Sequence, residues 1–168
     1  SFLSVDFYSD RTKTVPAEGG KYIEGLVGQP RFLNPIYAPA SDVDRDLVEI
    51  LFAGLMKYDS RNQIVPDLAQ QYKILEGGKI FEFYLEENLF WSDGQLLTAD
   101  DVIFTIKTIQ SPDYKSPLRA NWLGVEVEKI SDSALRFKLK NPSVTFLENT
   151  TTKILPKHIW QDISAQSF

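Results

Sequence analysis

Two stretches of the chain alternate apolar and polar residues with a period of two, and a short turn interrupts each of them. Residues 72–75 and 80–86 flank Glu76-Gly77-Gly78-Lys79, which predicts a β-hairpin with Phe81, Phe83 and Leu85 on one face. Residues 125–130 and 134–140 flank Ser131-Asp132-Ser133 and carry charged residues at alternate positions. The pattern therefore predicts antiparallel hairpins with one buried face and one wet face.

Two helices are predicted from apolar residues at helical spacing. From Asp42 onward the spacing predicts a helix of about four turns, with Ser41 and Asp42 as its N-cap. Its expected core face holds Val43, Leu47, Ile50, Leu51, Gly54 and Leu55. Thr98 with Asp101 three residues later is close to a capping box and predicts a second helix, which ends at Ser111-Pro112. The fold class is therefore α/β in the broad sense, an α+β mixture of hairpins and packed helices.

Composition limits the classes of function. The chain has 168 residues, a formal net charge of −5 and no cysteine. The length suits one globule. The acidic balance argues against a nucleic-acid partner, because a phosphate backbone needs a basic face. Without cysteine there are neither disulfides nor thiolate chemistry, so the redox compartment stays open.

The front of the chain lacks fold signals. Residues 1–21 are expected to be a linker or exposed arm, because residues 9–21 carry almost no large apolar side chains. Residues 22–27 predict a first strand, whose unpaired edge is expected to allow self-association of the chain. Since the chain starts at Ser1 without a charged leader, we expect its front to be trimmed. Any membrane contact is then expected only through a removed N-terminal anchor.

The residues offer little for catalysis or metal binding. His158 is the only histidine, and no Gly-x-Ser-x-Gly elbow accompanies it. Glu86 and Glu87 are adjacent and would point to opposite faces of a strand, so a glycosidase acting through one of them is a weak alternative. Residues 42–46 begin like a calcium loop, but Leu47 stands where that loop needs glycine. We predict no enzymatic activity, no cofactor and no metal site.

Several short segments in a fixed order carry a family resemblance. They are Leu33-Asn34-Pro35, then Phe52-Ala53-Gly54-Leu55-Met56-Lys57-Tyr58-Asp59, Ile64-Val65-Pro66-Asp67-Leu68-Ala69, Trp91-Ser92-Asp93-Gly94-Gln95 and Leu97-Thr98-Ala99-Asp100-Asp101-Val102-Ile103-Phe104. In this order they resemble family 5 of the extracellular solute-binding proteins. That family comprises oligopeptide- and dipeptide-binding proteins of ABC importers, with nickel- and oligosaccharide-binding relatives. Ser116-Pro117-Leu118 and Ile154-Leu155-Pro156-Lys157-His158 fit the same order.

The resemblance implies a periplasmic-binding-protein-like type II fold, in which two lobes are hinged around a cleft. It places residues 22–45 in the first segment of lobe I. Residues 46–168 are then the extra subdomain of lobe I that distinguishes this family, and the second lobe is absent. The turn from Trp91 to Gly94 is expected to shape the fold rather than to bind a ligand.

The resemblance also implies where a ligand is bound. The family lines its cleft just after Leu33-Asn34-Pro35, which makes Tyr37, Pro39 and Ser41 candidate ligand-binding residues. Family members also send aromatic side chains toward the ligand from a place comparable to residues 114–122, which adds Asn121 and Trp122. Ordinary loop packing is the alternative for both stretches.

The implied function is that of the extracytoplasmic solute-binding component of an ABC importer. Such a protein captures a peptide or similar small solute by hinge closure and delivers it to the permease subunits. The implied location is periplasmic or at the cell surface, with or without a membrane tether. A sensor or surface interaction module that uses the same architecture without transport is the alternative, and the sequence does not separate the two.

Overall fold

The computed structural model describes residues 29–31 and 33–168, so the arm and the first strand predicted before residue 28 lie outside the described residues. In chain order the elements are α1 (Asp42–Leu51), β1 (Met56–Tyr58), β2 (Ile64–Pro66), β3 (Ala69–Leu75), β4 (Ile80–Leu85), α2 (Ala99–Gln110), α3 (Arg119–Trp122), β5 (Val125–Ser131), β6 (Ala134–Leu139), α4 (Phe146–Asn149) and α5 (Lys157–Trp160). Over these described ranges, no helix has the length and apolar character to cross a membrane.

The two predicted hairpins join into one antiparallel sheet with the strand order β3-β4-β6-β5. Phe81 lies opposite Phe137, and Phe83 lies opposite Leu135, on its two central strands. These side chains and Leu85 are buried, which confirms the predicted face. Burial of an apolar side chain of this size stabilises the folded state by about 1.5–3 kcal/mol. The sheet is therefore the centre of the hydrophobic core.

The turn and the outer face of the sheet follow from local chemistry. Gly77 and Gly78 have φ values of +63° and +96°, the left-handed region that the β3–β4 turn requires. On the outer face, Arg136 Nε donates a hydrogen bond to Glu82 Oε1 at 2.9 Å. This hydrogen bond is the main reason why the pKa of Glu82 lies below its ordinary value. The outer face is thus held by cross-strand charge pairs.

The predicted capping box begins α2. Asp101 Oδ2 accepts a hydrogen bond from the Thr98 amide at 2.8 Å, and the Thr98 side chain accepts one from Asp100. Asp101 Oδ1 also accepts from the Lys157 amide at 2.8 Å, which joins α2 to the start of α5. The helix buries Val102, Ile106 and Ile109 in the same core as the sheet.

The first helix is shorter than predicted. Ser41 caps it as expected, since its side chain accepts from the Asp44 amide, but the helix ends at Leu51. Gly54 instead pairs with Lys153 in an isolated bridge, and Leu55 lies in a bend before β1. The predicted core face was also wrong in part. Ile50 is 74% exposed and Leu51 59% exposed, whereas Val48 is buried.

A small ribbon follows α1. The strands β1 and β2 pair with Tyr58 opposite Ile64, around a turn at residues 59–63. Each strand is three residues long, Met56–Tyr58 and Ile64–Pro66. Gly94 has a φ of +84° and donates its amide to the Trp91 carbonyl at 2.9 Å, which confirms the tight turn predicted there.

Candidate functional site

Two of the predicted ligand-binding residues, Pro39 and Asn121, line one cavity of about 280 Å³. Its walls come from three stretches that are far apart in the sequence. The first runs through the 3-10 turn Ala38–Ala40 and α1, the second holds α3, and the third runs from the end of α4 to Lys153. The lining residues are Pro35, Ala38, Pro39, Arg45, Val48, Glu49, Leu118, Asn121, Glu148, Asn149, Thr151, Thr152 and Lys153.

Side-chain hydrogen bonds hold the first wall against the second. Ser116 Oγ donates to the Ile36 carbonyl oxygen at 2.7 Å. Tyr37 Oη donates to the Tyr114 carbonyl oxygen at 2.6 Å, and burial is the main reason why the pKa of Tyr37 is raised. Because each bond spans most of the described chain, these two contacts fix how the two predicted stretches meet.

The remaining predicted residues lie beside the cavity. Tyr37 carries the hydrogen bond described above, and Ser41 caps α1. Trp122 is only 1% exposed, and its ring packs against Phe137 and Phe146 at centroid distances of 5.4 and 5.6 Å. The structure therefore gives Trp122 a place in the core, which differs from the expected aromatic side chain facing a ligand. For all five residues, ligand contact stays a prediction.

The third wall is pressed against the chain after α1. The Ile154 amide donates to the Ala53 carbonyl at 2.9 Å, and the Met56 amide donates to the Thr150 carbonyl at 3.1 Å. A Cβ atom at Gly54 would lie 2.7 Å from the Thr151 carbonyl oxygen. Glycine at residue 54 is thus needed for this close backbone approach, which sets the position of residues 151–153 in the cavity wall.

Four charged residues line the cavity, and their burial is unequal. Lys153 Nζ lies 2.7 Å from Glu49 Oε2, with side-chain exposures of 8% and 61%. Arg45 pairs with Asp42 at 2.9 Å, and both are largely exposed. Glu148 is exposed as well. Glu49 and Lys153 are not among the predicted site residues, because nothing local in either stretch signals a contact between residues so far apart.

The groups considered for catalysis lie elsewhere. His158 Nε2 lies 2.7 Å from Asp93 Oδ2, and this contact is the main reason why the pKa of Asp93 is lowered. Glu86 and Glu87 are exposed just after β4. In the part of the chain that the structure describes, no three His, Cys, Asp or Glu residues are grouped so that they could hold a metal ion.

The family model described as bacterial extracellular solute-binding proteins, family 5 Middle, matches residues 63–165. The chain belongs to this family. The family 5 relative AppA of Bacillus subtilis (strain 168), an oligopeptide-binding protein, is 35% identical over 147 residues, which are 86% of this chain and 27% of AppA. This match begins well before the part covered by the family model, since it takes in most of the chain.

Solved family 5 structures have the same fold. AppA from Bacillus subtilis in complex with a nonapeptide matches with a TM-score of 0.76 and 33% identity, over 83% of this chain and 28% of that one. NikZ from Campylobacter jejuni in complex with Ni(L-His) matches with a TM-score of 0.76 and 27% identity, over 84% and 28%. The predicted type II binding-protein fold is confirmed. The chain spans about a quarter of the length of these relatives.

Proposed function

We propose that this chain is part of the extracytoplasmic solute-binding component of an ABC importer. The full protein would capture a peptide or similar small solute and deliver it to permease subunits. The observation that carries the proposal is the cavity, in which Pro39 and Asn121 from the two expected ligand-contacting stretches line the same space. Membership of family 5 supports the same function.

We propose a peptide as the solute class. The relative AppA is named an oligopeptide-binding protein, and its structure contains a nonapeptide. The cavity mixes apolar residues such as Pro39 and Leu118 with amide side chains such as Asn121 and Asn149. This combination suits a peptide, because its backbone needs hydrogen-bonding groups and its side chains need apolar contact.

We propose that the cavity forms part of a larger cleft between two lobes. Residues 22–45 would begin lobe I, and residues 46–168 would form its extra subdomain. Two observations support the larger cleft. The chain spans about a quarter of its relatives, and α1 presents Ile50 and Leu51 to solvent at 74% and 59% exposure. Adjacent exposed apolar side chains on a helix are typical of a surface that another element covers.

Calorimetric titration of the full-length protein with a mixed nonapeptide library tests the binding step. Binding is expected, and Asn121→Ala should weaken it by about fivefold to tenfold, because one hydrogen bond in a closed site is worth about 1 kcal/mol. Gln63→Ala is the matched control, since Gln63 is exposed at the β1–β2 turn, away from the cavity. Absence of binding to every peptide would refute the peptide assignment.

Uptake of a labelled peptide by cells with and without the intact gene tests the delivery step. Loss of uptake on deletion, restored by the wild-type gene, is the expected result. Binding without any effect on uptake would refute import and would instead indicate a sensor or surface interaction module.

A further inference from the structure

We propose that a pocket at the end of β4 binds a partner protein, through a segment in which lysine or arginine residues flank an apolar side chain. This pocket, the β4 pocket, has a volume of about 280 Å³ and is lined by Leu85, Leu89, Leu96 and Leu97 together with polar and acidic residues. It shares no lining residue with the cavity of the candidate site. The inference is therefore independent of the proposed function.

The apolar part of the β4 pocket continues onto an exposed surface. Leu85 and Leu97 are buried, whereas Leu96 lines the same pocket at 53% exposure. Leu96 pairs with Phe90 in an isolated antiparallel bridge, and Phe90 is 59% exposed. Directly opposed residues of an antiparallel pair place their side chains on one face, with Cβ atoms about 4.5–5.5 Å apart. Phe90, Leu96 and the pocket thus present one apolar surface to solvent, a feature typical of interaction sites.

The charged part of the pocket is acidic. Glu86, Glu87 and Asp132 are exposed in its lining, which includes no lysine, arginine or histidine from the described part of the chain. Asp132 has a counter-ion, because Lys129 Nζ lies 2.7 Å from its carboxylate and 2.7 Å from that of Asp100. Glu86 and Glu87 make no ion pair with any described residue. An incoming cation therefore meets two carboxylates that have no cation of their own.

The walls of the β4 pocket are held together by backbone hydrogen bonds. The Leu85 amide donates to the Ser133 carbonyl at 2.8 Å, which ties the end of β4 to the β5–β6 turn. The Leu97 amide donates to the Leu89 carbonyl at 2.9 Å, which closes the ribbon that carries Leu96. A pocket that is formed before its partner arrives lowers the ordering cost of binding.

The acidic charge distinguishes among the occupants of such a surface. A second copy of this chain has a formal net charge of −5, so like charges would meet. A membrane rich in anionic lipids is repelled by Glu86 and Glu87 for the same reason. A basic protein segment suits both parts of the pocket, because its apolar side chain can contact the leucines while its cations lie beside the two glutamates. Charge complementarity therefore favours a basic segment of a partner protein.

The test measures binding of short labelled peptides to the full-length protein by fluorescence anisotropy. The probe is a peptide with the sequence Lys-Lys-Leu-Lys-Lys, acetylated and amidated so that its ends carry no charge. A second peptide has serine in place of leucine, and a third has glutamine in place of every lysine. The three peptides separate the apolar contribution from the charged one.

Two pocket variants are compared with two matched controls. Glu86→Gln with Glu87→Gln removes both free carboxylates, and its control is Glu76→Gln with Glu126→Gln, which changes the charge equally at exposed residues outside the lining.

Leu96→Ser removes the exposed leucine, and its control is Ile74→Ser, since Ile74 is 48% exposed on β3 and lies outside the lining. Both controls should bind all three peptides as wild type does.

Wild type should bind the leucine peptide about tenfold more tightly than the serine peptide, the fold-change that corresponds to burial of one leucine side chain. The glutamine peptide should bind about fivefold more weakly than the lysine peptide, and 0.5 M salt should reduce this difference. The variant without Glu86 and Glu87 carboxylates should bind the lysine and glutamine peptides about equally. Leu96→Ser should bind the leucine peptide about threefold more weakly than wild type.

Other outcomes overturn the inference. Equal binding by wild type and both pocket variants would place the peptide elsewhere, and no binding at all would leave the pocket without its ligand. Binding to vesicles of phosphatidylglycerol and phosphatidylcholine, or a dimer in sedimentation, would identify a membrane or a second copy as the occupant if Leu96→Ser removed it. If Leu96→Ser does not fold, the result for the Glu86 and Glu87 variant decides. The nonapeptide titration of the proposed function is unaffected by any of these results.

Discussion

Replacement of Gly54 by alanine is expected to destabilise the fold by about 1–3 kcal/mol, the usual cost of forcing an atom into a packed site. A Cβ at this position would lie 2.7 Å from the Thr151 carbonyl oxygen and 2.9 Å from that of Met56. Both oxygens belong to backbone, so neither can turn away as a side-chain end would. The contacts must lengthen by about half an ångström or more to reach an ordinary separation. Where no clash occurs, a glycine-to-alanine change stabilises a protein by about 0.4–1 kcal/mol, because it lowers the conformational entropy of the unfolded chain. The prediction that Gly54→Ala destabilises the fold therefore depends on the steric clash alone.

Urea unfolding followed by tryptophan fluorescence measures the effect, and exchange of the Met56 and Ile154 amides locates it. Both amides should exchange faster in Gly54→Ala, since they bond across the strained contact. Gly77→Ala is the control, because Gly77 has open space around it and a φ of +63°. It should cost about 1–2 kcal/mol through backbone strain and leave these two amides unchanged. A Gly54→Ala protein as stable as wild type, with unchanged exchange at both amides, would refute the reasoning.

Three further changes have definite expected outcomes. Asp101→Ala removes the acceptor of the Thr98 and Lys157 amides and should lower the free energy of unfolding by about 2–3 kcal/mol in urea titration; a loss under about 0.5 kcal/mol would contradict this role. The hydrogen bond from Arg136 is the main cause of the lowered folded-state pKa of Glu82. The stability that ionised Glu82 contributes to the fold is therefore present above the ordinary glutamate pKa of about 4.3 and is lost as pH falls through the lower folded value. Arg136→Met should therefore flatten the fall in stability that begins as the pH drops below the ordinary glutamate pKa of about 4.3, and an unchanged fall there would count against the pair. His158→Gln removes the main cause of the lowered pKa of Asp93, so a carboxylate-resolved NMR titration should show Asp93 titrating at higher pH than in wild type, whereas an identical midpoint would exclude that cause.

The hairpins and the second helix were predictable because their signals are local. The alternation at Phe81, Phe83 and Leu85 is visible within the sequence of a single strand. The capping box of Thr98 and Asp101 lies within one helical turn. The end of α1 was not predictable in this way. Apolar spacing continues through Gly54 and Leu55, but the close approach of residues 151–154 holds Gly54 in a bridge to Lys153, and Leu55 follows in a bend. Tertiary contact outweighed local periodicity at that point.

The candidate site was predictable only in part. The family resemblance led to Pro39 and Asn121, which share the cavity lining. It also led to Trp122, whose burial against Phe137 and Phe146 depends on the folded sheet and leaves no mark in the neighbouring sequence. Glu49 and Lys153 were missed for the same reason, since each reads locally as an ordinary surface charge.

The three-part wall of the cavity has a consequence for how the molecule responds to a guest. Its pieces come from the beginning, the middle and the end of the described chain, so the space exists only when all three are in place. A bound solute that contacts more than one stretch links these stretches to each other. By mass action, binding must then raise the free energy of unfolding, and a change that destabilises one stretch must lower the affinity for the solute.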